Sequence, residues 1–95
     1  MSHAYLVGNI SIKSAVDWAD YTRQVPDTLL PWGAELVFRG KQVAALAGES
    51  PHAGIVVIRF PDVAAVNQWF SSPAYQSLIP LRERAADVVL LCYQA

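Results

Sequence analysis

The stretch Ile55-Val56-Val57-Ile58 constrains the fold more than any other part of the sequence. Four β-branched residues in a row disfavour a helix, because each loses side-chain freedom against the preceding turn. They favour a pleated strand. A strand apolar at every position, rather than at alternate ones, is buried on both faces. The chain must therefore build a sheet with something covering each side. In a protein of 95 residues that is demanding, since the length sets one domain, residues 1–95, with one modest core. Hydrophobic residues make up 54% of the chain and charged residues 16%, which excludes a disordered segment. The apolar surplus exceeds what such a core needs, and it reads as a second buried surface, most simply an interface with another copy.

The flanking segments supply the other elements. Ala4 to Ile12 reads as a strand, carrying Tyr5, Val7, Ile10 and Ile12. Ser14 is an N-cap with Asp17 three residues on, and Ala15, Trp18, Thr22, Val25 and Leu29 mark one face of an amphipathic helix. Pro26 either kinks that helix or starts a second, short one; Pro31 and Gly33 end the helical region. Glu35–Arg39 and Gln42–Ala47 read as two strands of a hairpin turning at Gly40-Lys41. Residues 48–54 form a loop by composition, before the β-branched strand. Pro61-Asp62 opens a helix bearing Val63, Val66, Trp69 and Phe70. Ser72-Pro73 starts a short helical piece, a further turn spans Arg82–Ala86, and Val88–Tyr93 is the last strand. The resulting βαββαβ order is that of a split β-α-β sandwich, an α+β fold with an antiparallel sheet and helices on one face. The other face stays apolar and needs a partner. Val56, Ile58, Val89 and Leu91, or the alternate set, are expected to form the core of a homodimer.

Several function classes drop out on composition. A net charge of −1 leaves no basic excess to hold nucleic acid. Apolar runs fall far short of the ~20 residues a membrane span needs, and no basic-then-apolar leader opens the chain. Cys92, the one cysteine, sits in an apolar strand and reads as a small buried hydrophobe, so no internal disulfide forms. A cytoplasmic location is the expectation that follows. No cluster of histidine, cysteine and carboxylate at ligand spacing suggests a metal. No Gly-rich phosphate loop, Gly-x-Ser-x-Gly elbow or Cys-x-x-Cys suggests an organic cofactor, so none is expected.

Phe60-Pro61, Trp69-Phe70, Ser72-Pro73-Ala74-Tyr75-Gln76 and Leu81-Arg82-Glu83-Arg84-Ala85-Ala86 together resemble the domain of unknown function 1330 family. Tyr21 with Val25, and Leu36-Val37-Phe38-Arg39-Gly40, extend the likeness over nearly the whole chain. The resemblance implies a dimeric α/β barrel of ferredoxin-like subunits. Proteins of that wider kind include cofactor-free monooxygenases, lactone isomerases, dehydratases and plain binding proteins, so fold alone does not fix function. The chain departs from the family pattern at Asn9, Ala34, Ser50, Gly54 and Arg59, which alters the polar set near the cleft.

The candidate chemistry rests on few residues. His52, in the loop at the mouth of the sheet, is a candidate general base, because imidazole is the side chain that ordinarily titrates near neutrality. The plain alternative is a solvated loop residue. Tyr21 is a second candidate for moving a proton. Arg82 and Arg39 are candidates to grip a substrate carboxylate, against the alternative of a salt bridge; Arg82 leads because it lies in the family motif. Tyr75 and Trp69 belong to a set of aromatics that wall a pocket or simply pack the core, and a buried phenol needs a partner for its hydroxyl. Asn9, an amide in an apolar strand, is a candidate to orient a substrate oxygen or else a cross-strand pairing group. Two readings follow. In one, a cofactor-independent enzyme of isomerase, dehydratase or monooxygenase type binds a small apolar or aromatic carboxylate between helices and sheet. In the other, a non-catalytic dimeric domain binds a ligand or only assembles. They differ in whether that cleft is hollow and whether the polar groups converge on it.

Overall fold

A computed structural model describes residues 2–95. Its elements are β1 (Ala4–Ile12), α1 (Ala15–Leu29), a 3-10 turn (Leu30–Trp32), β2 (Glu35–Lys41), β3 (Gly54–Phe60), α2 (Val63–Ser71), α3 (Pro73–Gln76), α4 (Ile79–Ala85) and β4 (Ala86–Gln94). The strands form one antiparallel sheet in the order β2-β3-β1-β4, the topology of the split β-α-β sandwich. Helix starts follow the sequence signals. The Ser14 side chain accepts from the Asp17 N–H, Asp62 from Ala65 and Ser72 from Tyr75.

Three local expectations are corrected. Cys92, expected to be a buried small hydrophobe, is exposed, because β4 is an edge strand of the sheet. Gln42–Ala47 is not a strand. Gly40 and Lys41 remain inside β2, paired with Ile55 and Gly54, and Gln42 N–H still donates to Ala53 C=O at 2.6 Å. The return arm of the hairpin is therefore β3 itself. Its β-branched run, buried on the helix side, outcompetes the Gln42–Ala47 segment, which has no surface to bury against. Val43 and Leu46 are 96% and 97% exposed. In addition, α1 runs through Pro26 rather than restarting there. Proline deletes one intrahelical bond in what becomes the last turn, and tertiary contacts hold that turn. Thr28 is buried, with its hydroxyl donating to the Val25 carbonyl and accepting from the Trp69 indole.

The register sorts the sheet into two faces. Leu6, Gly8 and Ile10 of β1 pair with Ile58, Val56 and Gly54 of β3 and with Cys92, Leu90 and Val88 of β4, and this side faces the helices. The core lies here: Leu6, Ile58 and Phe60 pack under Tyr21, Val66, Trp69, Tyr75 and Leu78. Tyr5, Val7, Asn9, Val57, Arg59, Val89, Leu91 and Tyr93 occupy the opposite, uncovered face. The expected interface quartet therefore splits. Val56 and Ile58 belong to the helix side and Val89 and Leu91 to the open side, because residue parity in antiparallel pairing puts them on opposite faces. Among the described residues, no helix is long and apolar enough to cross a membrane.

Candidate functional site

Between α1 and the helix-facing side of the sheet lies a cavity of about 230 Å³. Leu6, Ile10, Val56, Ile58 and Leu90 form its floor; Trp18, Tyr21 and Val25 from α1 form its roof. Arg39 and Gly40, at the end of the edge strand β2, reach the rim. Arg39 is exposed and forms no salt bridge among the described residues. The lining is almost wholly apolar. Among the described residues, its side chains with polar atoms are Arg39, Tyr21, Thr22 and the indoles of Trp18 and Trp69, and the Trp69 N–H is already bonded to Thr28 Oγ1 at 3.0 Å.

Behind the cavity wall runs a chain of hydrogen bonds. Arg82 Nη1 donates to Tyr75 Oη at 2.9 Å, and Tyr75 Oη lies 2.8 Å from Tyr21 Oη. Either phenol can donate in the second bond, but their surroundings differ. Tyr75 is wholly buried, and Arg82 already occupies its hydroxyl as a donor. One proton serves the bond between the two phenols, so with Tyr75 Oη already receiving the Arg82 donor the pair keeps a second hydroxyl proton that this bond does not use. Burial pushes the Tyr21 phenol well above the ordinary tyrosine range, with the neighbouring Tyr75 adding to the shift and Arg82 opposing it. Tyr21 is thus a neutral hydroxyl donor and not a base.

A second, polar cleft opens beside the cavity, and Val88 lines both. It measures about 310 Å³ and is lined by Lys13, His52, Arg82, Glu83, Asp87 and the start of β4. Lys13 Nζ is 3.6 Å from Asp87. His52 Nδ1 lies 2.9 Å from Ser11 Oγ, which also lies 3.3 Å from the Pro51 carbonyl oxygen. The hydroxyl has one proton to give; given to Nδ1, the nearer of its two acceptors, it leaves the ring proton on Nε2, the free edge of the imidazole.

The sequence candidates thus fall into separate places. Tyr21, Trp69 and Arg39 line the apolar cavity. His52 and Arg82 line the polar cleft. Tyr75 touches neither hollow and joins the two through its hydroxyl. Asn9 pairs with Ile55 and Val89 on the open face, across the sheet from the cavity. Ser11 and Thr28, which hold the His52 ring and the Trp69 indole, were not among the candidates. Thr28 could have been found from its place one turn after Val25 on the buried face of α1. Ser11 is given away by nothing local, because its partner lies 41 residues on.

A model of the family described as "Domain of unknown function (DUF1330)" matches residues 3–95. Among curated proteins, none matches this sequence. Solved structures with the same fold include RPA0582, a protein of unknown function from Rhodopseudomonas palustris, with TM-score 0.82 and 18% identity over 97% of this chain and 81% of that one. SnoaB, a cofactor-independent oxygenase from Streptomyces nogalater, superposes with TM-score 0.73 at 7% identity, covering 100% of this chain and 94% of the other. A dimeric ferredoxin-like protein of unknown function from Jannaschia sp. CCS1 gives TM-score 0.74 at 10% identity, covering 96% and 97%. These likenesses show the ferredoxin-like fold.

Proposed function

The chain belongs to the DUF1330 family, and we propose that it is a small-molecule enzyme without an organic cofactor, acting on an apolar or aromatic carboxylate held between α1 and the sheet. The observation that carries this reading is the hollow itself. A cavity of about 230 Å³, apolar on nearly all sides, has at its rim the Arg39 guanidinium, without a salt bridge among the described residues, and on its wall the Tyr21 phenol, whose proton faces the ligand when Tyr75 donates to it. An apolar cavity of roughly 150 Å³ already accepts benzene, so a single-ring ligand fits. Its body replaces nothing polar, Arg39 receives its carboxylate, and Tyr21 donates to an oxygen of the ligand as negative charge develops there. Where such an acid reacts through an enolate-like oxygen, a donor of this kind stabilises it, and the proton leaving carbon passes to water or to the substrate's own carboxylate, since the cavity lining holds no histidine or carboxylate among the described residues. The same fold in a cofactor-independent oxygenase is compatible with this chemistry. The working unit in this reading is a homodimer, which the likeness to a dimeric ferredoxin-like protein supports.

A second reading, a binding domain without turnover, is favoured by one feature. The imidazole of His52 lies in the polar cleft and not in the cavity, so among the described residues no histidine or carboxylate lines the cavity wall. Turnover assays on a panel of aromatic acids, their amides and lactones separate the two. The enzyme reading expects conversion of an acid but not its amide, a rise in KM of about tenfold or more in Arg39→Gln, and a fall in kcat of about 10²-fold in Tyr21→Phe. Binding of acids without conversion leaves the binding reading; no binding at all rejects both.

A further inference from the structure

We propose that the polar cleft between α4 and the loop before β3 is a second site, built to hold a small carboxylate. It is independent of the cavity reading, because neither Arg82 nor His52 lines the cavity. Arg82 carries five N–H donors in a flat fork, of which Tyr75 takes one. Among the described residues it has no salt-bridge partner. Its position is fixed from behind. Tyr75 is fully buried and packs tilted against Trp69 with ring centres 4.1 Å apart, so the guanidinium is held at the cleft before any ligand arrives. From the facing wall, Ser11 holds the half-buried ring of His52 and leaves its Nε2 edge free. The other charged groups of the cleft are Lys13 and Asp87, paired with each other, and Glu83, which forms no salt bridge among the described residues. One fork, one imidazole and two acidic neighbours suit a singly charged planar carboxylate better than a doubly charged phosphate.

The test is a titration of the protein with sodium acetate at constant ionic strength, with sodium chloride as the balancing salt. The resonances of the Arg82 Nε–H and the His52 ring are followed by NMR. Saturable shifts of both are expected. Affinity falls by about tenfold in Arg82→Gln, consistent with loss of a bidentate charged contact, and by about threefold in His52→Ala. It rises in Glu83→Gln, where a competing negative charge is removed, and is unchanged in Arg39→Gln. Inorganic phosphate binds more weakly than acetate. Shifts that never saturate, equal affinity in Arg82→Gln, or phosphate outcompeting acetate would overturn the proposal. If Arg82→Gln fails to fold, His52→Ala decides instead, since it changes only a loop side chain. Unchanged acetate affinity there rejects the site. Loss of acetate binding in Arg39→Gln also rejects it, whereas failure of cavity ligands alone leaves it standing.

Discussion

Tyr21 and Tyr75 are 54 residues apart in sequence and meet through their hydroxyls in the core. A tyrosine hydroxyl in an apolar interior is tolerated only when bonded, so the pair stabilises the fold while the Tyr21 phenol stays neutral. This gives a pH dependence. In the unfolded chain a phenol ionises at about pH 10, whereas in the folded protein burial holds Tyr21 neutral to higher pH. Above pH 10 the unfolded state has therefore lost a proton that the folded state keeps. By linkage, the stability from Tyr21 is complete below pH 10 and declines as pH rises beyond it. Urea unfolding between pH 8 and 11 is expected to show a falling midpoint in the wild type. The fall should be visibly shallower in Tyr21→Phe; parallel declines would contradict this account of the phenol. The residue types of the site are legible in the sequence, where two tyrosines, two arginines and a histidine stand out by their chemistry and position. Their grouping is not. Arg82 reaches Tyr75 across α4 and α3, Asn9 turns to the far side of the sheet, and such assignments depend on packing that no local pattern encodes.

At the scale of strands and helices, side-chain volume decides how closely neighbours approach. Gly8 sits in β1 between Val56 of β3 and Leu90 of β4, two residues of the cavity floor. A Cβ on Gly8 would lie 2.9 Å from Val56 Cγ1 and 3.3 Å from a Leu90 methyl. A valine side chain is stiff about χ1, so it cannot swing clear without moving its strand. Gly8→Ala is expected to destabilise by about 1–3 kcal/mol through overpacking. Chemical denaturation reads this directly, and an unchanged midpoint would mean that the three strands have slack there. The element order is readable from the sequence because it rests on strong local signals: caps at Ser14, Asp62 and Ser72, and the β-branched run of β3. Gln42–Ala47 departs from expectation for the opposite reason. Its residues tolerate a strand, but a strand also needs a pairing partner, and β2 is already paired with β3. Pro26 likewise shows only its local cost in the sequence, and the Thr28–Trp69 bond offsets that cost from another helix.

The molecule as a whole is a slab. Its Cα extents are 33 × 31 × 16 Å, and the short dimension is that of one sheet and one helix layer. A compact monomer of this mass exposes roughly 5,400 Å² by the usual scaling, whereas this chain exposes 6024 Å². The excess belongs to the exposed 42–51 segment and to a shape left open on one side. On that side Val7, Val57, Val89 and Leu91 form an apolar centre, flanked by Phe38 on β2 and by the Arg59–Glu35 ion pair. A bare apolar sheet face in water is a liability that a second sheet removes, packing about 10 Å away. The isologous arrangement uses the same patch twice, so one interface satisfies both copies. We therefore expect a species of twice 10.4 kDa in sedimentation at micromolar concentration. Leu91→Asp with Val57→Asp places two charges in each copy of the patch and should yield monomers. Val16→Asp, on the solvent face of α1, should leave the dimer intact. If the double variant unfolds outright, the sheet still needed its cover; if the wild type runs as a stable single subunit, the open face has another use and the homodimer is wrong.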